Sequence, residues 1–173
     1  MSIHIIVDGY NLIRQSDNLS HLDDQDIQLG REALLDRLAA YRRTRHHRIT
    51  VVFDGANAPL FSQHKSQIKG IHVKFSRSGE SADAVIKRMA DREREKALVV
   101  SSDLDVVNFA TSKGAATISS PKFEEKMELA AYMTIKGIES EEKDGWVPTT
   151  KKKGPSKRLS KKKRRDRIKT RKL

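Results

Sequence analysis

VVSSDLDV (99–106) is the stretch on which the fold turns. Its first two residues close an apolar run, ALVV (97–100), that is too short for a helix. With no polar alternation, such a run reads as a strand buried on both faces of a parallel sheet. The polar SSD follows at once, and Val106 and Val107 then restart an apolar pattern. Ser102 with Asp105 three residues later has capping-box spacing, with Asp in place of the usual Glu, so a helix is predicted to open there. Strand, acidic turn and helix together make one βα unit.

The same unit recurs along the chain. IHIIV (3–7), ITVVF (49–53), IHVKF (71–75) and residues 115–118 also read as strands. A helix is predicted over about 27–43, with Ile27, Leu34, Leu35, Leu38 and Tyr41 inward, and another over 81–95 on the stripe Ala82, Val85, Ile86, Met89, Ala90. Ser120 followed by Pro121 predicts an N-cap and first-turn proline, opening a helix that runs to about Ile138. This order predicts a three-layer α/β domain with a mainly parallel, five-stranded sheet.

The carboxylates fall where such a sheet concentrates chemistry. Asp8 follows the first strand, Asp54 the second, and Asp103 and Asp105 the fourth; Glu80 and Asp83 open the helix after the third. All six therefore converge on the carboxyl edge of the sheet, where open α/β folds bind ligands. Ionised carboxylates at close range raise one another's pKa unless a cation holds them together. An all-oxygen donor set without Cys or a spaced His pair suits Mg²⁺ or Mn²⁺, which can activate a water and stabilise charge on a phosphate. Simpler roles compete at several positions. Asp105 also fits a helix cap, Asp54 a turn before Gly55, and Asp83 a partner for the helix dipole. Asn11 fits either a turn after Gly9 or a role orienting Asp8 or a phosphate.

Composition narrows the partners. The chain has 173 residues, enough for one domain with an appendage, and no cysteine, which excludes disulfides and thiolate metal sites. No apolar run approaches the length of a membrane span, and the start lacks a signal-peptide layout, so a cytoplasmic protein is expected, with nuclear targeting as an alternative. From Lys151 to Leu173 there are fourteen Lys/Arg and one acid, Asp166, a charge of +13; the whole chain carries +12, so the first 150 residues sum to −1. We therefore read residues 1–139 as the domain and 140–173 as a linker and disordered basic tail. Without interleaved aromatics its cations suit phosphate contacts with RNA: Lys151, Lys152, Lys153, Lys157, Arg158, Lys161, Lys162, Lys163, Arg164 and Arg165. The polar loop 56–70, with His64, Lys65 and Lys69, is a second candidate grip.

VDGYNLI (7–13), VFDG (52–55), GESADAVI (79–86) and VVSSDLDV (99–106) resemble, in that order and at suitable spacing, the YacP-like branch of the NYN domain within the PIN-like nuclease superfamily. The resemblance runs from Ile3 to about Ile138, and the basic end looks additional to it. It implies a PIN-like sheet of order 3-2-1-4-5, with Asp8 beside Asp103 at the switch point. It also implies a Mg²⁺- or Mn²⁺-dependent endoribonuclease acting on mRNA, rRNA or tRNA, one member type working at the ribosome. By the same resemblance Asp8, Asn11, Asp83, Asp103 and Asp105 are catalytic residues, and the first, third and fourth of these are metal ligands. Glu80, Asp54 and Ser102 would orient them; here only one residue separates Glu80 from Ala82, which departs from the family spacing.

Two other readings stay open. The same fold can dock on RNA or a ribosome without catalysis, its acids serving as caps and turns. DLDVV (103–107) also fits the D-x-D signature of haloacid-dehalogenase-type phosphatases, although no downstream lysine and acidic pair stands at an obvious strand end.

Overall fold

A computed structural model describes residues 3–57, 66–136 and 160–173. The strands are β1 (His4–Asp8), β2 (Arg48–Phe53), β3 (Ser66–Ile68), β4 (Ile71–Phe75), β5 (Ala97–Val100) and β6 (Ala116–Ile118). The helices are α1 (Gly9–Gln15), α2 (Asp17–Gln25), α3 (Ile27–Arg45), α4 (Ala82–Glu93), α5 (Leu104–Ser112), α6 (Ser120–Ile135) and α7 (Lys161–Arg171). The sheet order is β3-β4-β2-β1-β5-β6. Apart from β3 this is the expected 3-2-1-4-5 order, and those strands are paired in parallel.

The expected five strands become six because Ser66–Ile68 turns back and pairs antiparallel with β4. This segment lies in what reads as a polar loop, and three residues carry too little pattern to be seen in advance. Backbone pairing with β4, rather than an apolar face, holds it there.

β1 and β2 are almost wholly buried, which fits their mainly apolar sequence, and the buried His4 and Thr50 hydrogen-bond each other at 2.8 Å. One face packs under α1, α3 and α6 through Leu12, Leu34, Leu38, Phe53 and Phe123. The other packs under α4 and α5 through Ile6, Val52, Ile86, Val99 and Val106. The stripe predicted for 81–95 is the buried face of α4.

Two capping assignments change. Asp103, not Ser102, caps α5 by accepting the Asp105 amide at 2.7 Å. Ser119, not Ser120, is the N-cap of α6, and Pro121 sits in its first turn. In both cases the displaced serine is held by a tertiary hydrogen bond that local spacing does not reveal. The helices α1 and α2 were also unforeseen. Asp8 caps the first through the Asn11 amide, and Ser16 caps the second through the Leu19 amide at 3.3 Å.

The expected disordered tail is corrected over 160–173. Ser160 caps α7 at the Lys163 amide, and the helix lies against the amino edge of the sheet. Lys162 donates to the Thr111 carbonyl, Lys169 to that of Glu95, and Arg165 pairs with the Glu95 carboxylate. Leu173 is fully buried in the core, and the Tyr41 hydroxyl donates to its carbonyl at 2.6 Å. The error has a physical origin: composition records charge, whereas docking here rests on one apolar residue and a few backbone carbonyls. Lys151, Lys152, Lys153, Lys157 and Arg158 lie outside the described residues, as do His64 and Lys65. Lys69 pairs with Asp36 instead of pointing into a loop. Among the described residues no helix is long and apolar enough to cross a membrane.

Candidate active site

Asp8 ends the central strand and is buried, with 6% of its surface exposed. One carboxylate oxygen accepts the Asn11 amide at 3.3 Å and the other accepts the Ser101 hydroxyl at 3.0 Å. Burial outweighs these bonds and pushes the Asp8 pKa up to about 6, with the charges of Asp83 and Asp103 adding to the rise. Burial and then Asp103 likewise raise Asp83, which Lys87 partly offsets. The electrostatics thus group Asp8, Asp83 and Asp103, which arrive from β1, the first turn of α4 and the cap of α5.

A hydrogen-bonded serine and asparagine frame fixes these turns. The Asn11 side-chain oxygen accepts the Ser102 amide at 2.9 Å and the Ser120 hydroxyl at 2.7 Å. The Ser102 hydroxyl accepts the Ser120 amide at 3.1 Å. The Ser101 hydroxyl, while donating to Asp8, also accepts the Asp103 amide at 3.1 Å. Asn11 therefore joins the turns after β1, β5 and β6, and Ser101 joins Asp8 to Asp103. Ser101 and Ser120, both fully buried, are the residues that sequence reasoning missed. A usable signal existed for Ser101. Val7 pairs with Val100, so one further step of register sets residue 101 beside Asp8.

The remaining candidates stand at the rim. Asp54 accepts the Ala56 amide at 3.0 Å, as in the turn reading, while its charge still reaches Asp83. The following Gly55 is obligatory by close approach, since a Cβ there would lie 1.9 Å from the Ser76 carbonyl oxygen. Asp105 turns outward to pair with Lys87, and its side chain is 77% exposed. Glu80 pairs with Arg88 at 2.5 Å, away from the cluster. Neither Asp105 nor Glu80 is brought onto Asp8.

Among the described residues no three His, Asp or Glu side chains converge closely enough to hold one ion as they stand. The donor chemistry nonetheless fits a hard cation. A buried carboxylate with a raised pKa faces two others, and a divalent ion with oxygen ligands would relieve that repulsion. Ser101→Ala removes a bond that favours ionised Asp8 and the acceptor that holds Asp103. The Asp8 carboxyl of that variant should therefore titrate at higher pH than in the parent, as NMR of the carboxyl carbon measures. A titration that does not move would mean that the Ser101 hydroxyl does not favour ionised Asp8.

A family model described as "YacP-like NYN domain" matches residues 5–172 of the chain, a span that includes the basic end thought to be additional. A curated relative, the "Uncharacterized protein YacP" of Bacillus subtilis (strain 168), is 30% identical over 86 residues. That alignment takes in 50% of this chain, and the chain spans 50% of that relative's length. The crystal structure of Rae1 (YacP) from Bacillus subtilis superposes with a TM-score of 0.67 at 24% identity, covering 80% of each chain. A single-residue variant of Rae1 superposes with a TM-score of 0.65 at 23% identity, covering 78% of this chain and 80% of that one.

Proposed function

The chain belongs to the YacP-like NYN domain family, a nuclease-type family, and from that premise we propose that it is a metal-dependent endoribonuclease. The observation that carries the proposal is the buried Asp8, raised to about 6 and facing Asp83 and Asp103 at the carboxyl edge. Such an arrangement costs stability without a cation and so argues for one in use. Asp8, Asp83 and Asp103 would hold Mg²⁺ or Mn²⁺. When bound, that ion would supply a Lewis acid for the scissile phosphate and lower the pKa of a water. The chain's own contribution is positional. Ser101 and Asn11 fix Asp8 and the turn that carries Asp103, and Lys87, paired with Asp105 and in the field of Asp83, is a cation that would exchange that partner for a substrate phosphate.

In this reading the basic end holds RNA at a distance. Lys161, Lys163, Arg164 and Arg167 are exposed on α7 at the amino edge. The acids lie a strand's length away, about 15 Å for five residues. A second cluster of arginines, Arg42, Arg43 and Arg45, ends α3 at the same edge. The favoured substrate is therefore an extended RNA or a ribonucleoprotein such as the ribosome, anchored at one edge and cut at the other. The competing reading keeps the fold as a non-catalytic RNA- or ribosome-binding protein. The phosphatase reading loses ground because Asp105 is engaged outward with Lys87.

A circular RNA tests the reading, since it has no end for an exonuclease. It should be linearised with Mn²⁺ or Mg²⁺ and survive with EDTA. Circles that remain intact with the ion, although bound, would favour the docking protein.

A further inference from the structure

Among the described residues, α4 and α5 cover only part of the sheet face beneath them. Ile6 and Val52 lie beneath α4 and α5, but the same face of β4 presents His72 and Lys74, while Ile71 and Val73 point into the opposite core. Beside this strip runs a groove of about 390 Å³, whose described polar lining is Arg48, Thr50, Gln67, His72, Lys74 and Arg92. Among the described residues its charged lining is cationic, with Arg92 also pairing with Glu93 at 3.2 Å. The cations are crowded enough that burial, and then Arg48, Arg42 and Lys74, hold His72 below its ordinary pKa.

Register ties this groove to the acid site. Asp8 pairs with Val52, and Val52 pairs with Lys74, so the three share one row of the sheet. In a parallel sheet such partners project from the same face, two strand spacings or about 10 Å apart. The next rows down carry Thr50 with His72, then Arg48 beside His4, in steps of about 6.6 Å along the strands. Arg92, in the last turn of α4, closes the lower end.

We propose that this groove between α4 and the β3–β4 hairpin binds the sugar-phosphate backbone of single-stranded RNA on one side of the cleaved bond. The inference rests on the nuclease reading and adds to it a strand path and a substrate class. Lys74 in the Asp8 row, His72 one row down and Arg48 and Arg92 below it set hydrogen-bond donors along the path of one strand's phosphates. A groove of about 390 Å³ between a helix and a hairpin is too small to admit a duplex. Arginine and lysine are the side chains suited to such backbone contacts, and binding of this kind is salt-sensitive.

The test uses the full chain with EDTA present, so that nothing is cut, and measures fluorescence anisotropy of labelled oligouridylate and of a hairpin RNA across a salt series. Lys74→Gln/Arg92→Gln should weaken oligouridylate binding about tenfold and flatten the log–log salt slope by about 1.4, the value for two lost single-strand phosphate contacts. Hairpin binding should stay within about twofold of the parent. The charge-retaining pair Lys74→Arg/Arg92→Lys should bind oligouridylate like the parent. The proposal is overturned if the Gln pair leaves affinity and slope unchanged, if hairpin binding falls equally, or if the charge-retaining pair loses as much. A groove effect in a protein that cuts no RNA would remove the nuclease reading alone. Cutting with no groove effect would remove only the groove.

Discussion

Asp8→Asn is expected to stabilise the metal-free protein above pH 6. The folded Asp8 has its pKa raised from 3.8 to about 6, chiefly by burial. A raised carboxylate favours folding in its protonated form, so its contribution is fully present below about pH 4. It is lost as the pH rises through about 6, where the buried group must ionise. Asn carries no such charge and keeps the geometry. Its oxygen accepts the Asn11 amide, while its NH₂ donates to the Ser101 hydroxyl, whose proton can turn elsewhere. The variant should match the parent near pH 4 and exceed it by on the order of 2–3 kcal/mol at pH 7.5. Mg²⁺ or Mn²⁺ should narrow the gap by stabilising only the parent. Thermal melts across pH, with and without the ion, measure this directly. A parent as stable as the variant at pH 7.5 would mean that the site is not charge-strained.

The second large effect concerns the basic end. Leu173 is fully buried beside the core that holds Tyr41 and Phe123, and Tyr41 donates to its carbonyl. Leu173→Ala should cost about 2–4 kcal/mol, the usual range for emptying a buried leucine site. Truncation after residue 159 should cost at least as much. Replacing Arg164 and Arg167, which project from α7, should leave melting unchanged and lower RNA affinity in a salt-dependent way. A truncated protein that melts like the parent would restore the disordered-tail picture.

These cases also mark what the sequence makes legible. The parallel core was readable because ITVVF (49–53) and ALVV (97–100) are nearly all apolar, a pattern that few other elements produce. That Asp8, Asp83 and Asp103 stand at the carboxyl edge followed from the rule that a helix begins where its preceding strand ends. What escaped depended on contacts between distant residues. Ser101 and Ser120 look like ordinary turn serines until β5 and β6 stand beside β1. Asp105 and Glu80 sit at the right positions in the chain, yet their side chains pair with nearby Lys87 and Arg88. The docking of α7 rests on Leu173, a single apolar residue in a cationic stretch.

In the proposed reading the Asp8, Asp83 and Asp103 cluster cuts RNA with the help of a divalent ion. The initial rate of RNA cleavage with Mn²⁺ by the parent, Asp8→Asn, Asp83→Asn and Asp103→Asn, with RNA affinity measured alongside, tests this most directly. Each variant should lose about 10²- to 10³-fold in rate, with affinity unchanged. Metal-dependent cleavage that survives all three substitutions would mean that these carboxylates are not the cutting site.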